Sequence, residues 1–243
     1  MSQPIKVYIY CPSNVVTGGT ELLHQLSFSL KTIGVTAYMV YYENNAIVAA
    51  NIPKQFSSYE VECTTEVSDE ENTWIVLPEV YLHIGAKYKH AKIICWWLSV
   101  DNFFHDGLGS SIDAFKWNYW FGIKRIIKQY FLRKPYPKRV SLKSLSSEKY
   151  MHLYQSHYAK VFLQSNGINQ TKELGDYINL SYLEKEVADQ KEDIVLYNPK
   201  KMSKTFTRIM QSCNDIKWVP LQNMSVAEMA AMYRRAKLYV DFG

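Results

Sequence analysis

Two adjacent glycines near the start of the chain are the first residues whose type and spacing suggest chemistry. Gly18 and Gly19 end a turn-rich loop that follows Lys6 to Tyr10, an apolar run typical of a buried strand. Apolar residues then recur with helical spacing from 21 to 33. Glycine lets the backbone approach a ligand closely, and the first amides of a helix attract anions. The pattern indicates a phosphate or sugar-diphosphate site, with an ordinary tight turn as the alternative.

Alternating strands and helices are predicted around this loop. Strands are predicted at 36–42, 74–77, 92–98 and 150–155, with a further short one at 59–63. Helices are predicted at 79–85 and 156–164. The segment 92–98 is apolar throughout, as expected of a parallel strand covered on both faces. The alternation of strands and helices predicts an α/β protein.

A second domain is predicted to begin near Glu192. Strands at 193–197, 216–219 and 238–240 alternate with helices at 203–213 and 225–236. Ser225 and Glu228 have the spacing of a capping box at the start of the second helix. This β-α-β-α-β segment is about half as long as an ordinary domain, so we expect it to be truncated.

The composition excludes several classes of protein. Hydrophobic residues make up 47% of the 243 residues and charged residues 21%, as in ordinary globular proteins. The four cysteines form no CxxC pair, which favours reduced core thiols in a cytosolic protein over a disulfide set or a zinc site. The chain enters its first strand directly, so no signal peptide is expected, and no apolar run approaches a membrane span. The loop after the first strand lacks the G-x-G-x-x-G of a nucleotide-dependent dehydrogenase.

Four stretches carry a family resemblance. They are Thr-Gly-Gly-Thr-Glu at 17–21, Trp-Trp-Leu-Ser-Val-Asp-Asn at 96–102, Gln-Ser-His-Tyr-Ala at 155–159 and Val-Leu-Tyr-Asn-Pro-Lys-Lys at 195–201. With these stretches in this order, the chain resembles bacterial GT-B fold glycosyltransferases of capsule and surface-polysaccharide biosynthesis. The resemblance implies a Rossmann-like N-terminal domain at 1–190 that holds the acceptor. It also implies a nucleotide-sugar-binding domain at 191–243, of which only the first β-α-β-α-β is present.

The resemblance implies roles for particular residues. The donor diphosphate would be bound by Gly18, Gly19, Thr20 and Glu21 on one side of a cleft, and by Asn198, Lys200, Lys201 and Lys204 on the other. Fixed cations would stabilise the charge that the leaving nucleoside diphosphate gains. For these lysines, a solvated loop is the alternative.

The candidate catalytic residues, which would bind or orient the acceptor hydroxyls, are Asp101, Asn102 and His105. They follow a buried strand at its carboxyl end. The alternatives are that Asp101 only caps the next helix and that the lone histidine is structural. The chain has no Asp-x-Asp triplet and no metal-ligand spacing, so we expect no metal and no cofactor beyond the nucleotide-sugar substrate.

The family's acidic donor-binding motif follows the strand that ends here at Asp241, and this chain does not contain it. Two hypotheses therefore stay open. The first is a hexosyltransferase or other glycosyltransferase acting on a lipid-linked saccharide. The second is a truncated, non-catalytic relative that binds glycan or membrane.

Nine basic residues and no acidic one lie between Lys116 and Lys143, interleaved with aromatic and aliphatic residues. A single helix over 113–132 would have a broad apolar face with cationic flanks, which suits an anionic membrane interface. The membrane-facing candidates are Trp117, Trp120, Lys124, Arg125, Lys128, Arg133 and Lys134. This predicts a cytoplasmic protein, peripheral at the inner face of the cell membrane. A core helix with a solvated basic edge is the alternative, and bulky aliphatics argue against nucleic acid.

Overall fold

The computed structural model of the chain describes residues 4–105, 109–132, 140–176 and 190–240. The chain divides into two compact units, unit 1 from Met1–Tyr177 and unit 2 from Ile178–Gly243. Both units are α/β with mainly parallel strands, which confirms the predicted fold class.

Unit 1 is built on an eight-stranded sheet that is parallel except for one short pair. Its strands are β1 (Lys6–Pro12), β2 (Thr36–Glu43), β3 (Ala46–Ile47), β4 (Glu62–Cys63), β5 (Thr73–Pro78), β6 (Lys92–Trp97), β7 (Tyr150–Tyr154) and β8 (Thr171–Glu173). The order across the sheet is β2-β1-β5-β6-β7-β8, with β3 and β4 both on the outer side of β2. The chain thus builds outward from β1 to β2 and then reverses to β5, as in a Rossmann-like fold.

Two apolar layers cover the two faces of this sheet. Tyr8 and Tyr10 of β1 belong to one buried cluster, whereas Val7, Ile9 and Cys11 belong to the other. The split arises because successive side chains of a strand point to opposite faces. The helices of unit 1 are α1 (Gly18–Thr32), α2 (Val100–His105), α3 (Ser111–Trp117), α4 (Tyr119–Leu132), α5 (Leu142–Leu145) and α6 (His157–Ser165), with 3₁₀ helices at Lys54–Tyr59 and Glu79–Lys87.

The prediction of a single helix over 113–132 is wrong, because the helical conformation is interrupted at Asn118. Asn118 has extended backbone angles, and its side-chain oxygen accepts a hydrogen bond from the amide of Phe121 at 3.0 Å. A Cβ added to Gly122 would lie 2.5 Å from the Cα of Phe115, so this glycine allows close packing of α3 and α4. The two helices therefore form a hairpin instead of one long rod.

Other differences from the prediction concern shorter segments. Of the strand predicted at 59–63, only Glu62–Cys63 is a strand, because Tyr59 ends the 3₁₀ helix Lys54–Tyr59. Helix α1 begins at Gly18, inside the predicted loop, because Thr17 caps it and places both glycines in its first turn. Strand β8 was not predicted, since its Thr-Lys-Glu sequence has no apolar run.

Unit 2 has a three-stranded parallel sheet in the order β10-β9-β11. Its elements are β9 (Glu192–Tyr197), a 3₁₀ helix at Pro199–Lys201, α7 (Lys204–Ser212), β10 (Lys217–Pro220), α8 (Val226–Arg235) and β11 (Ala236–Val240). The predicted capping box of Ser225 and Glu228 is confirmed. The buried cluster of unit 2 consists of Ile194, Leu196 and Ala236.

Candidate functional site

A cavity of about 710 Å³ lies in unit 1 where its parallel strands end. Its walls come from residues at or just beyond the ends of β1, β5, β6, β7 and β8, together with the first turns of α1. It therefore lies at the point where the chain reverses direction between β1 and β5. Open α/β sheets bind their ligands at such a point, because the loops after neighbouring strands separate there.

The first turn of α1 presents two free amides to this cavity. Thr17 and Thr20 cap each other: the Thr17 amide donates to Thr20 Oγ1 at 2.9 Å, and the Thr20 amide donates to Thr17 Oγ1 at 3.3 Å. Within the described part of the chain, the amides of Gly18 and Gly19 have no protein acceptor, and both glycines line the cavity. The helix start therefore offers two donors and the positive end of its dipole.

Packing does not explain why these two positions are glycine. A Cβ on Gly18 would meet nothing within 4 Å, and one on Gly19 would lie 3.5 Å from Leu98 Cδ1, an ordinary contact. Both glycines line the cavity, where the absence of side chains leaves their backbone accessible.

Glu79 is a functional candidate that sequence reasoning missed. It directly follows β5, lines the cavity and is only 2% exposed. Its Oε2 accepts a hydrogen bond from the amide of Leu98 at 3.0 Å, and its Oε1 accepts one from Asn102 Nδ2 at 3.2 Å. Burial raises the pKa of the Glu79 carboxyl to about 7, although these hydrogen bonds act in the opposite direction. The available signal was its place at the end of an apolar strand, the same signal that singled out Asp101.

Asn102 lies in the cavity wall, but its predicted companions Asp101 and His105 do not. Asp101 accepts a hydrogen bond from the Tyr158 hydroxyl at 3.1 Å. The His105 ring packs edge-on against Trp117 and Phe121, with ring centroids 5.8 and 5.1 Å away. The three residues share one short helix, and only Asn102 points towards Glu79.

The cavity is acidic. Glu21, Glu79 and Asp176 line it, and none of the described lining residues is lysine, arginine or histidine. The carboxylate of Glu21 accepts a hydrogen bond from the Tyr59 hydroxyl at 2.8 Å. Carboxylates and amides beside apolar side chains are suited to hydrogen-bonding the hydroxyl groups of a neutral ligand.

The predicted phosphate-binding residues of unit 2 follow the middle strand of its sheet. Asn198 caps the 3₁₀ helix after β9, its side-chain oxygen accepting a hydrogen bond from the Lys200 amide at 3.0 Å. The side chains of Lys200, Lys201 and Lys204 are exposed at this carboxyl end.

The predicted membrane-facing residues are divided between two environments. Trp120 is 70% exposed, and Lys124 and Lys128 are exposed beside it on α4. Trp117 instead stacks on Phe104, with ring centroids 4.6 Å apart. Arg125 is buried. Two further candidates, Arg133 and Lys134, lie outside the described residues.

Among the residues that the structure describes, no group of three or more His, Cys, Asp or Glu side chains could hold a metal ion. Over the same residues, every helix is too short or too polar to cross a lipid bilayer. The chain matches no model of a known protein family and no curated protein sequence.

Proposed function

We propose that this chain is a glycosyltransferase that moves a sugar from a nucleotide-sugar donor to a lipid-linked saccharide acceptor in surface-polysaccharide biosynthesis. One observation supports the proposal: the cavity at the strand ends combines the two free amides of Gly18 and Gly19 with the carboxylate of Glu79 and the side-chain amide of Asn102, which could bind hydroxyl groups. The reaction needs both kinds of group, because one substrate is an anion and the other a polyol. The four stretches that resemble GT-B glycosyltransferases support the same activity.

The distribution of charged side chains suggests which residues bind the acceptor and which bind the donor. The acidic wall of unit 1 favours the neutral acceptor, whose hydroxyl groups can donate to Glu79 and accept from Asn102. The donor diphosphate takes hydrogen bonds from the glycine amides at the start of α1. Unit 2, considered by itself, carries exposed cations at Lys200, Lys201 and Lys204, a kind of group that stabilises the charge of a leaving diphosphate.

The hairpin of α3 and α4 supports binding to the inner face of the cell membrane. We define its hairpin patch by the most exposed apolar side chains of the two helices, Ile112, Tyr119, Trp120, Ile126, Ile127 and Phe131. Exposed cations lie on the same two helices at Lys116, Lys124 and Lys128. Their one acidic residue, Asp113, accepts hydrogen bonds from Ser110 and the Leu142 amide. Aromatic and aliphatic side chains beside exposed cations suit a surface of anionic lipid.

Titration calorimetry of the 243-residue chain with UDP, GDP and dTDP tests the proposal. We expect one of the three to bind and to bind more weakly to Gly18→Asp, because the new carboxylate repels the diphosphate at the helix start. A matched variant, Asn169→Asp, adds the same charge at an exposed site before β8, at the opposite end of the parallel strands, and should bind as the unmodified chain does. If none of the three nucleotides binds, the proposal fails.

Glycan binding without transfer is a second candidate. The observation that favours it is that the described residues lining the cavity all belong to unit 1. It predicts that octyl glycosides bind to the chain, whereas UDP-glucose, GDP-mannose and dTDP-rhamnose are not consumed. Release of nucleoside diphosphate in the presence of an octyl glycoside would exclude it.

A further inference from the structure

We propose that Gln25 selects which saccharide the cavity binds, because its side-chain oxygen accepts a hydrogen bond from one hydroxyl group of the acceptor. Glu21 and Tyr59 fix the direction of the Gln25 amide for this role. The inference rests on the acceptor-binding part of the proposed function and adds to it a residue that determines specificity.

The side-chain oxygen of Gln25 is a buried acceptor without a donor. Gln25 is 4% exposed and lines the cavity. Among the described residues of the cavity wall, its Oε1 is the only buried side-chain nitrogen or oxygen that no protein group hydrogen-bonds. A buried carbonyl without a donor is destabilising, and native proteins contain few of them. A ligand in the cavity can supply the missing donor.

A chain of hydrogen bonds decides which end of the Gln25 amide lacks a partner. Gln25 Nε2 donates to the Tyr59 hydroxyl at 2.9 Å, and that hydroxyl donates to Glu21 Oε1 at 2.8 Å. A carboxylate can only accept, so the tyrosine proton points to Glu21 and the tyrosine oxygen accepts from the amide nitrogen. Turning the amide over would place two acceptor oxygens against each other. The Gln25 oxygen is therefore the atom that remains for a donor.

The backbone holds these three side chains together. Gln25 follows Glu21 by one helical turn on the same side of α1, and Tyr59 ends the 3₁₀ helix that packs against α1. The Gln25 oxygen is covered in this conformation of the side chain. The terminal torsion of a glutamine is broad, so a modest rotation of the amide can turn the oxygen towards the cavity while α1 stays in place.

The groups around Gln25 favour a hydroxyl over a phosphate. Glu21 and Gln25 both offer acceptor oxygens, and none of the described lining residues is lysine, arginine or histidine. Acceptor oxygens repel a phosphate oxygen, whereas a hydroxyl can donate to them. We therefore assign Glu21, which the family resemblance places with the donor diphosphate, to the saccharide side of the cavity.

Titration calorimetry of the 243-residue chain tests this inference with octyl glycosides below their critical micelle concentrations. Octyl glucoside, octyl galactoside and octyl mannoside first identify the preferred sugar. Analogues of that sugar then lack the hydroxyl at carbon 2, 3, 4 or 6, or have fluorine in its place. Fluorine cannot donate a hydrogen bond, so the second series separates a hydroxyl that donates from one that only accepts or fills space.

We expect one of the four positions to make the hydrogen bond to Gln25. At that position both the deoxy and the fluoro analogue should bind about tenfold or more weakly than the parent glycoside. In Gln25→Met the parent should bind about as weakly as the deoxy analogue, and removing the same hydroxyl should then have little further effect. Gln164→Met is the matched control, because Gln164 is exposed on α6 outside the cavity wall. It should keep the full difference.

Tyr59→Phe tests whether the tyrosine fixes the direction of the amide. Without the hydroxyl, the Gln25 amide can turn its nitrogen towards the ligand. The fluoro analogue should then recover part of its lost affinity relative to the parent glycoside, an effect that a general loss of packing would not produce. Thermal unfolding of each variant shows whether it is folded. The comparison of analogues in the unmodified chain needs no variant at all.

Four results would overturn the inference: no octyl glycoside binds, every deoxy analogue binds like its parent, the fluoro analogue binds like its parent at the sensitive position, or a folded Gln25→Met keeps the full difference. Binding of UDP, GDP and dTDP is measured separately. A chain that binds nucleotide without this selectivity would retain the proposed transferase and lose only the role of Gln25. Selective glycoside binding without nucleotide binding would support Gln25 and exclude the transferase.

Discussion

The imidazole of His24 lies between Tyr41 and Thr20 and joins helix α1 to strand β2. Its Nε2 is 2.7 Å from the Tyr41 hydroxyl, and its Nδ1 is 2.7 Å from the carbonyl oxygen of Thr20. A carbonyl can only accept, so Nδ1 carries the proton and Nε2 accepts from the tyrosine. The ring is buried, and burial lowers the pKa of His24 below its usual value, which favours the neutral form.

The first prediction concerns stability against pH. His152 is a second buried histidine, bonded to Trp97 Nε1 at 3.0 Å and to the carbonyl of Leu145 at 2.9 Å, and burial lowers its pKa as well. Below pH ~6.5 an unfolded chain protonates both rings, whereas the folded chain resists this. Each of the two histidines therefore makes the free energy of unfolding fall as the pH drops from 7.5 to 5.5. Glu79, whose pKa is raised to about 7, acts in the opposite direction over this range, so the histidine contribution is measured as the difference in pH dependence between the unmodified chain and a histidine variant.

Urea denaturation at several pH values measures this slope. The variant His24→Gln should be less stable at pH 7.5 and should show a shallower pH dependence. The exposed His157 gives the matched control, His157→Gln, which should leave the slope unchanged. An equal slope in His24→Gln and in the unmodified chain would contradict the assignment.

The second prediction concerns the hairpin of α3 and α4. Gly122→Ala places a methyl group 2.5 Å from the Cα of Phe115, and backbone cannot move aside as a flexible side chain can. We expect a loss of about 1–3 kcal/mol in the free energy of unfolding, although alanine is the better helix former. Thermal melts measure the change, with Gly175→Ala as the control because no atom lies within 4 Å of its added Cβ. A Gly122→Ala variant as stable as this control would be inconsistent with the packing.

The third prediction concerns membrane binding by the hairpin patch. The chain should cosediment with vesicles of phosphatidylglycerol and phosphatidylcholine at low salt and be released at high salt. Salt screens the attraction between the exposed cations of the chain and the anionic lipid. Reversing Lys124 and Lys128 to Glu should abolish retention. In a chain that keeps both lysines, Trp120→Ala should weaken retention through lost apolar contact. Reversing Lys172 and Lys191, exposed cations outside the hairpin, should have little effect.

Arg125 provides an internal contrast in that experiment. It is 5% exposed, so its reversal should act through stability and not through direct contact with lipid. Retention that ignores salt, or that survives the reversal of Lys124 and Lys128, would exclude an electrostatic membrane surface.

The fourth prediction separates two neighbours on α2. Asn102→Ala removes the side chain that holds Glu79, whereas Asp101→Asn changes a carboxylate bonded to Tyr158 outside the cavity. We expect Asn102→Ala to lower kcat/KM for nucleoside diphosphate release by at least tenfold. Asp101→Asn should lower it by less than about threefold. The reverse ranking would show that the catalytic geometry involves Asp101.

Sequence periodicity was sufficient for the strands that build the sheet. The apolar runs in β1, β5, β6 and β9 were predicted because strands covered on both faces must be apolar almost throughout. The same criterion cannot find β8, whose three polar residues pair only at the edge of the sheet.

The candidate site was predictable only in part, because side-chain direction depends on packing. Asp101 and Asn102 are adjacent in sequence, yet a helix turns by about 100° per residue and separates them. Glu79 was missed because glutamate is rarely buried in proteins. Only the three-dimensional packing around it shows that this glutamate is buried. The interruption of the helix at Asn118 was missed for a similar reason. It is accompanied by a close contact between α3 and α4, which cannot be inferred from hydrophobic periodicity along the sequence.

Much of the cavity wall comes from the loops and turns that follow the strands, whereas the two apolar layers come from the strands and the packed faces of the helices; Leu22 and Leu23 belong to both. Substitutions in the connecting loops can therefore reshape what the cavity accepts without disturbing the layers that keep the sheet folded. A scaffold arranged in this way can exchange one ligand for another over evolution at little risk to its own folding.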